Sequence, residues 1–218
     1  MNTFSAALFC LLLAPLAAWA KPISYVGGTM LMQENDAGGQ TLGIDHTFHP
    51  NFAAALHIQH HIRGDNFMMI GPQLIALLKR WNQEEAQGNI FSMTGAGTTI
   101  FKGDMRPAVW AGLLADYETR QIFLSYEVRL TYAKRVERSA WQRARVGWSP
   151  VPQDYDALNA WVMIQVDRWD EKHLGFHHAT PEPKTEITPI LRLLYKGFLV
   201  EGGASLRGKV MFNWVQQF

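Results

Sequence analysis

Cysteine and long apolar runs are scarce in this chain. The 218 residues include one cysteine, Cys10, and it lies inside the apolar run from Phe4 to Trp19. The chain beyond this run has no cysteine, so it forms neither a disulfide nor a thiolate metal site. Beyond residue 20 no segment approaches the roughly 18 consecutive apolar residues of a membrane-spanning helix, which excludes a helical membrane protein.

Neither positive nor negative charge is in clear excess. Twenty Lys and Arg face 19 Asp and Glu, a formal net charge of +1, and no basic stripe stands out. Because nucleic-acid binding needs such a stripe, we expect no nucleic-acid partner. The mean hydropathy of −0.10 fits a soluble protein. It equally fits a transmembrane β-barrel, in which only every second strand residue meets lipid.

The N-terminus has the form of an export signal. The apolar run ends at Ala18-Trp19-Ala20, a small-x-small cleavage site, directly before Lys21. We therefore predict a signal peptide over residues 1–20, which is removed, and one domain over residues 21–218.

Alternating apolar and polar residues predict strands through the remaining chain. In the clearest segment, Gln121 to Tyr132, apolar residues occupy every second position, as in a strand with two unlike faces. Comparable segments separated by turn residues give twelve predicted strands: 22–33, 40–48, 52–62, 67–80, 89–101, 108–118, 121–133, 140–148, 159–169, 186–196, 197–206 and 209–218. Ten strands remain an alternative, because 67–80 and 197–206 alternate weakly. Pro72 and Pro189 conflict with strand interiors, since a closed sheet has no free edge.

The segment from Lys209 to Phe218 is the most specific. Val210, Phe212, Trp214 and Phe218 share one face, and the sequence ends on an aromatic residue. This pattern resembles the closing strand of bacterial outer-membrane β-barrels, whose terminal Phe is read by the barrel-assembly machinery. The resemblance implies an all-β fold, a single closed antiparallel transmembrane β-barrel in the outer membrane of a Gram-negative bacterium. It further implies surrounding membrane lipid, and an assembly signal at Phe212, Trp214 and Phe218. It indicates no particular family.

The strand phase divides the side chains between two faces. The predicted lipid-facing set is apolar and consists of Leu42, Ile44, Leu56, Ile58, Leu113, Val162, Ile164, Val166, Leu191, Leu193, Phe212 and Trp214. The opposite set is charged or polar and consists of Asp45, His57, His61, Lys79, Asp116, Glu118, Glu127, Arg129, Arg143, Arg145, Asp167, Arg192, Lys196 and Glu201. A midplane Arg or Lys facing lipid costs about 2–4 kcal/mol, so this set must face the lumen.

Three functions are compatible with such a barrel. The first is a narrow passive channel for small polar or anionic solutes. Its lumen and selectivity candidates are Asp116, Glu127, Arg129, Arg143, Arg145, Asp167, Arg192 and Glu201. The second is a non-conducting structural or adhesion barrel whose charges neutralise one another. The third is a lipid-active enzyme, although no His-x-Ser arrangement or other catalytic motif supports it, and no catalytic residue is assigned.

Histidines offer only a weak metal hypothesis. His57 and His61 would stand about 13 Å apart on a strand, too far to chelate one ion. His173, His177 and His178 fall in the longest predicted loop, where they could meet one another. We expect no cofactor, and these three are the weak candidates for a metal-linked envelope protein.

Overall fold

The computed structural model describes residues 22–23, 25–63, 66–152, 157–173 and 184–218, with the side chains of 172 and 173 excepted. Twelve β-strands account for most of this part. They are β1 Thr29–Asn35, β2 Gly39–His49, β3 Phe52–His61, β4 Phe67–Gln83, β5 Ala86–Phe101, β6 Asp104–Thr119, β7 Ile122–Ala133, β8 Glu137–Trp148, β9 Asn159–His173, β10 Lys184–Tyr195, β11 Phe198–Ala204 and β12 Val210–Gln217. Among the described residues, no helix has the length and apolar character needed to cross a membrane.

The strands form one closed antiparallel barrel. Each strand pairs with its neighbours in sequence, and β1 pairs with β12 to close the ring. At the seam, the backbone N–H groups of Thr29 and Phe218 each donate to the other residue's carbonyl, at 3.1 and 2.8 Å. The predicted twelve-strand barrel is confirmed and the ten-strand alternative is wrong, because both weakly alternating segments are strands. The first strand begins at Thr29 rather than at residue 22.

Alternation along the strands separates an apolar exterior from a mixed interior. On β7, Leu124 and Leu130 are exposed on the outside, whereas Phe123 and Thr131 are buried inside. All predicted lipid-facing residues lie on this outer face, in the phase set by the strand pleat. The outside is therefore apolar although it is accessible, as expected of a surface that contacts lipid rather than water.

Pro72 and Pro189, the two prolines of the predicted strand interiors, occupy places where the hydrogen-bond ladder is interrupted. The pairing of β4 with β5 skips from Ile70 to Gln73, so Pro72 needs no β5 partner. The pairing of β10 with β11 stops at Ile190, one residue after Pro189. Proline is tolerated there because its missing N–H leaves no acceptor unpaired.

A bulge in β4 corrects one predicted orientation. The β4–β5 register shifts between Leu77 and Lys79, so that Lys79 lies opposite Ile90 and Arg80 lies opposite Asn89. An inserted residue reverses the alternation beyond it. Lys79, predicted to face the lumen, is consequently exposed on the outside, and Arg80 points inward instead. Lys196, also predicted to face the lumen, is exposed in the turn between β10 and β11.

The wall of the barrel is uneven. Strands β4, β5 and β6 have 17, 16 and 16 residues, whereas β11, β12 and β1 have 7, 8 and 7. The rim at which β1 begins and β12 ends is called the terminal rim below, and the opposite end the distal rim. The β4–β5 turn at the terminal rim spans only residues 84–85, whereas the predicted strands 67–80 and 89–101 left residues 81–88 between them.

Candidate functional site in the barrel interior

Arg143 on β8 is the centre of the largest ionic group inside the barrel. Its Nε donates to Asp167 Oδ1 on β9 at 2.8 Å, and its Nη1 lies 3.5 Å from Glu34 Oε2 on β1. Its Nη2 donates to Asp36, which follows β1 in the turn to β2. One guanidinium thus joins two sides of the barrel, and it does so almost completely buried.

A second ionic group lies around Glu201 on β11. Arg192 Nη2 is 2.6 Å from Glu201 Oε1, and Arg145 Nη1 is 3.5 Å from Glu201 Oε2. The amide of Asn213 on β12 also donates to this carboxylate, at 3.0 Å. Because it has three donors, the buried carboxylate is balanced by positive charge and hydrogen bonds.

The other predicted lumen residues form smaller contacts. Arg129 pairs with Glu127 two residues away on β7, at 2.9 Å. Asp116 on β6 accepts a hydrogen bond from the Asn89 amide at 2.7 Å. All eight lumen candidates therefore lie on the inner face, in three ionic groups and one amide-bound carboxylate.

Two partners of Arg143 were not predicted. Glu34 and Asp36 lie between the first two predicted strands, 22–33 and 40–48, in a stretch whose composition indicates only a turn. Asp36 does act as a turn residue, since its Oδ1 accepts the N–H groups of Gly38 and Gly39 at 2.7 and 3.2 Å. Its other oxygen binds Arg143, an association across the barrel that sequence spacing does not reveal.

A cavity of about 180 Å³ lies within the barrel, between these groups. Its charged lining comprises six carboxylates and four arginines, namely Glu34, Asp45, Asp116, Glu118, Glu127 and Glu201, and Arg129, Arg143, Arg145 and Arg192. The arginines come from β7, β8 and β10. Asp45 on β2 lies across the ring from these arginines, whereas Glu127 and Glu201 lie beside the arginines with which they pair.

Two guanidinium groups at the cavity have unused donors. Arg129 Nε and Arg145 Nη2 are buried and have no hydrogen-bond partner within the described part of the protein. A buried N–H without an acceptor costs about 1–3 kcal/mol, and a charged group costs more. These atoms are therefore the places in the interior where an acceptor on a solute would gain most.

The distal rim is covered by the β1–β2 turn. Asp36 reaches Arg143 on β8, and Gly38 lies against the indole of Trp169 on β9, where an added Cβ would stand 3.0 Å from Nε1. Arg63 stacks 4.5 Å above the same indole and pairs with Glu171 at 3.0 Å. The turn thus spans from its own strands to the opposite wall.

At the terminal rim, Ile23 enters the barrel. Its side chain has 0% exposure and packs with the inward-facing Ala53, Ile75, Phe91 and Met93. Its carbonyl accepts a hydrogen bond from Arg80 Nη2 at 3.2 Å. The segment that precedes β1 therefore fills this end of the interior, beside the cavity that its neighbour Pro22 lines.

Metal ligands are not grouped in the described part of the chain. No three His, Cys, Asp or Glu side chains there are placed to hold an ion. His57 contacts Trp110 and His61 stacks on Phe67, with ring centroids 5.3 and 4.2 Å apart. His177 and His178 lie outside the described residues, as does the side chain of His173.

Two solved structures are similar to this chain at low sequence identity. No protein-family model matches the sequence, and no curated protein matches it. Among solved structures, LpxR from Salmonella typhimurium is similar with a TM-score of 0.48 and 10% identity, over 88% of this chain and 99% of that one. OccAB4 from Acinetobacter baumannii has a TM-score of 0.40 and 13% identity, over 82% and 53%. Both are bacterial outer-membrane barrels.

The class of protein follows from the geometry described above. A closed antiparallel barrel with an even number of strands, an apolar exterior and an ionic interior is the arrangement of bacterial outer-membrane proteins. The chain is an outer-membrane β-barrel of this kind, and it sits in membrane lipid. Four of the five connections at the terminal rim have two residues, and the fifth, between β8 and β9, spans residues 149–158. In this class the rim with the short turns faces the periplasm.

Proposed function

We propose that the barrel is a narrow passage for small polar solutes that is closed at both rims in this conformation. The observation that carries the proposal is the charged interior cavity lying between two coverings, the Asp36 turn and Ile23. A merely structural barrel gains nothing from buried guanidinium donors without acceptors, whereas a passage uses them to hold a solute.

Ile23, in the segment before β1, fits this role as a plug. With cleavage after Ala20, which we propose on the sequence pattern, Ile23 becomes the third residue of the mature chain. The described contacts of Ile23 are its buried side chain and one carbonyl hydrogen bond, whereas the backbone bonds to Thr47 on β2 begin at Gly27. Ile23 therefore leaves more readily than a strand residue, because no ladder must break.

Charge preference follows from the lining. Six carboxylates against four arginines give the cavity no overall cationic surplus. We therefore assign general passage to small polar solutes, and place any anion preference at Arg145, whose Nη2 lacks a partner.

Removing both coverings tests the proposal. In planar bilayers we expect the wild type to be mostly silent and the double variant Ile23→Asp, Asp36→Ala to give steady conductance steps. Matched controls are Val26→Asp, in the same segment but 54% exposed, and Asp104→Ala, whose carboxylate forms an exposed ion pair at the distal rim. Both controls should remain silent.

The same experiment decides the alternative. A double variant that is folded, by its β-sheet circular dichroism and its heat-dependent gel mobility, but remains silent would contradict the passage. Its densely paired interior would then support the non-conducting structural barrel. In the opened background, Arg145→Gln should lower the anion preference measured by reversal potential across a salt gradient.

A further inference from the structure

The outer face of the barrel carries a groove that the proposed passage does not use. It crosses β6, β7, β8 and β9 and has a volume of about 460 Å³, within the range of ligand pockets. Its outward-facing lining is Val109, Ala111, Leu130, Tyr132, Arg138, Ala140 and Asp170. We call it the β6–β9 groove. The alanines form its floor because they are smaller than the flanking Leu130 and Tyr132.

The groove lies across the boundary between apolar and charged outer surface. Toward the terminal rim, the outward-facing residues of β8 are Ala144, Val146 and Trp148. Toward the distal rim they are Arg138, Ala140 and Gln142, and Arg168 lies opposite Gln142 on β9. With the terminal rim in the periplasm, this boundary falls in the outer leaflet, where acyl chains meet head groups.

The charged edge of the groove is basic. Arg138 lies in the lining, whereas Arg168 lies just outside it, two residues before the lining residue Asp170 on β9. Both arginines are exposed, and neither forms an ion pair with any side chain that the structure describes. Asp170, opposite Ala140, is the one carboxylate in the lining. Arginine matches phosphate by its forked donors, and each basic residue near a charged membrane surface attracts anionic lipid.

A second outer groove lacks this chemistry. It crosses β1 to β5 toward the distal rim, has a volume of about 570 Å³ and is lined by Gln33, Gln40, Leu42, Ile58, His60, Met68 and neighbours, without Lys or Arg. The two grooves are comparable in size and height but differ in charge. Only the β6–β9 groove combines an apolar floor with a guanidinium edge.

We propose that the β6–β9 groove binds a phosphorylated glycolipid of the outer leaflet, with an acyl chain along Ala111 and Ala140 and a phosphate at Arg138 and Arg168. Both halves of such a lipid find their counterpart at the matching depth of the bilayer. The site is built into the barrel wall and is independent of whether the interior conducts.

Native mass spectrometry of the folded barrel in detergent, titrated with bis-phosphorylated lipid A, tests the site. We expect Arg138→Gln to weaken binding about fivefold, and Arg138→Gln with Arg168→Gln about 25-fold. Arg207→Gln removes one positive charge at the same rim, from a side chain 59% exposed, and should change binding less than twofold. Dephosphorylated lipid A should bind the wild type as weakly as the phosphorylated lipid binds the double variant.

The floor is tested separately from the charge. Ala140→Trp should fill the groove and reduce binding of the phosphorylated lipid at least fivefold, whereas Ile58→Trp in the second groove should not. Equal losses for Arg138→Gln and Arg207→Gln would show attraction to net charge only and overturn the site. So would unchanged binding in Ala140→Trp, provided that circular dichroism shows each variant folded.

Discussion

Replacing Arg143 with Gln removes the cation that three carboxylates share. Asp167, Asp36 and Glu34 would be left facing one another without their common partner. Asp167 is the critical member because its side chain is only 2% exposed. Asp36 and Glu34 are more accessible, so water can replace part of what they lose.

The expected cost comes mainly from that stranded buried charge. Removing one partner of a buried ion pair typically costs about 3–5 kcal/mol. Asp167 would retain two neutral donors, the Gln165 amide at 2.5 Å and the Trp141 indole at 3.2 Å. Because these hydrogen bonds favour the lower end of that 3–5 kcal/mol range, we expect a loss of about 3 kcal/mol in the free energy of unfolding.

Reversible urea unfolding in lipid vesicles, followed by tryptophan fluorescence, measures this quantity. Arg106→Gln is the matched control, because both members of its 3.0 Å pair with Asp104 are accessible, with side-chain exposures of 27% and 69%. An exposed pair contributes about 0–1 kcal/mol. Adding Asp167→Asn to Arg143→Gln should restore part of the loss, since the substitution removes the stranded charge.

Two results would refute the reasoning. One is a loss for Arg143→Gln no larger than that for Arg106→Gln, which would mean that water already solvates the interior group. The other is a further loss on adding Asp167→Asn, which would show that the carboxylate is stabilised without Arg143.

Three further predictions concern the wall of the barrel. Gly97→Ala should prevent folding or cost several kcal/mol, because a Cβ there would lie 2.0 Å from the Ile70 carbonyl oxygen. Gly202→Ala is the control and should be tolerated, because a Cβ there would have nothing within 4 Å. Equal urea midpoints for the two variants would contradict this prediction. Leu124→Arg should lower the stability in vesicles by about 2–4 kcal/mol, since the side chain faces lipid, and an unchanged midpoint would count against the membrane assignment of that face. Deleting Phe218 should slow insertion by the barrel-assembly machinery in cells while detergent refolding proceeds; unimpaired insertion in pulse-chase experiments would remove the assembly signal.

The sequence predicted the barrel well because its evidence is local. Alternation is a property of adjacent residues, so the inner position of Arg143 and the outer position of Leu124 followed directly. Pairings between distant strands depend on register and shear, which no local pattern contains. The association of Asp36 with Arg143 and the entry of Ile23 were therefore not predictable. The predicted orientation of Lys79 was wrong for a related reason, since a one-residue bulge reverses the inward–outward alternation of the strand without leaving a clear mark in the sequence.

The unequal strands have a consequence for the surrounding bilayer. At a tilt of about 45°, strands of 7–8 residues rise roughly 16–19 Å, whereas strands of 16–17 residues rise roughly 37–40 Å. A typical apolar band is about 25 Å tall, so lipids beside β11, β12 and β1 meet a wall shorter than themselves. The membrane must thin along that arc or the whole molecule must lean toward it. The bilayer around the protein is therefore asymmetric, because the lipid beside the short strands is more compressed than the lipid beside the long ones.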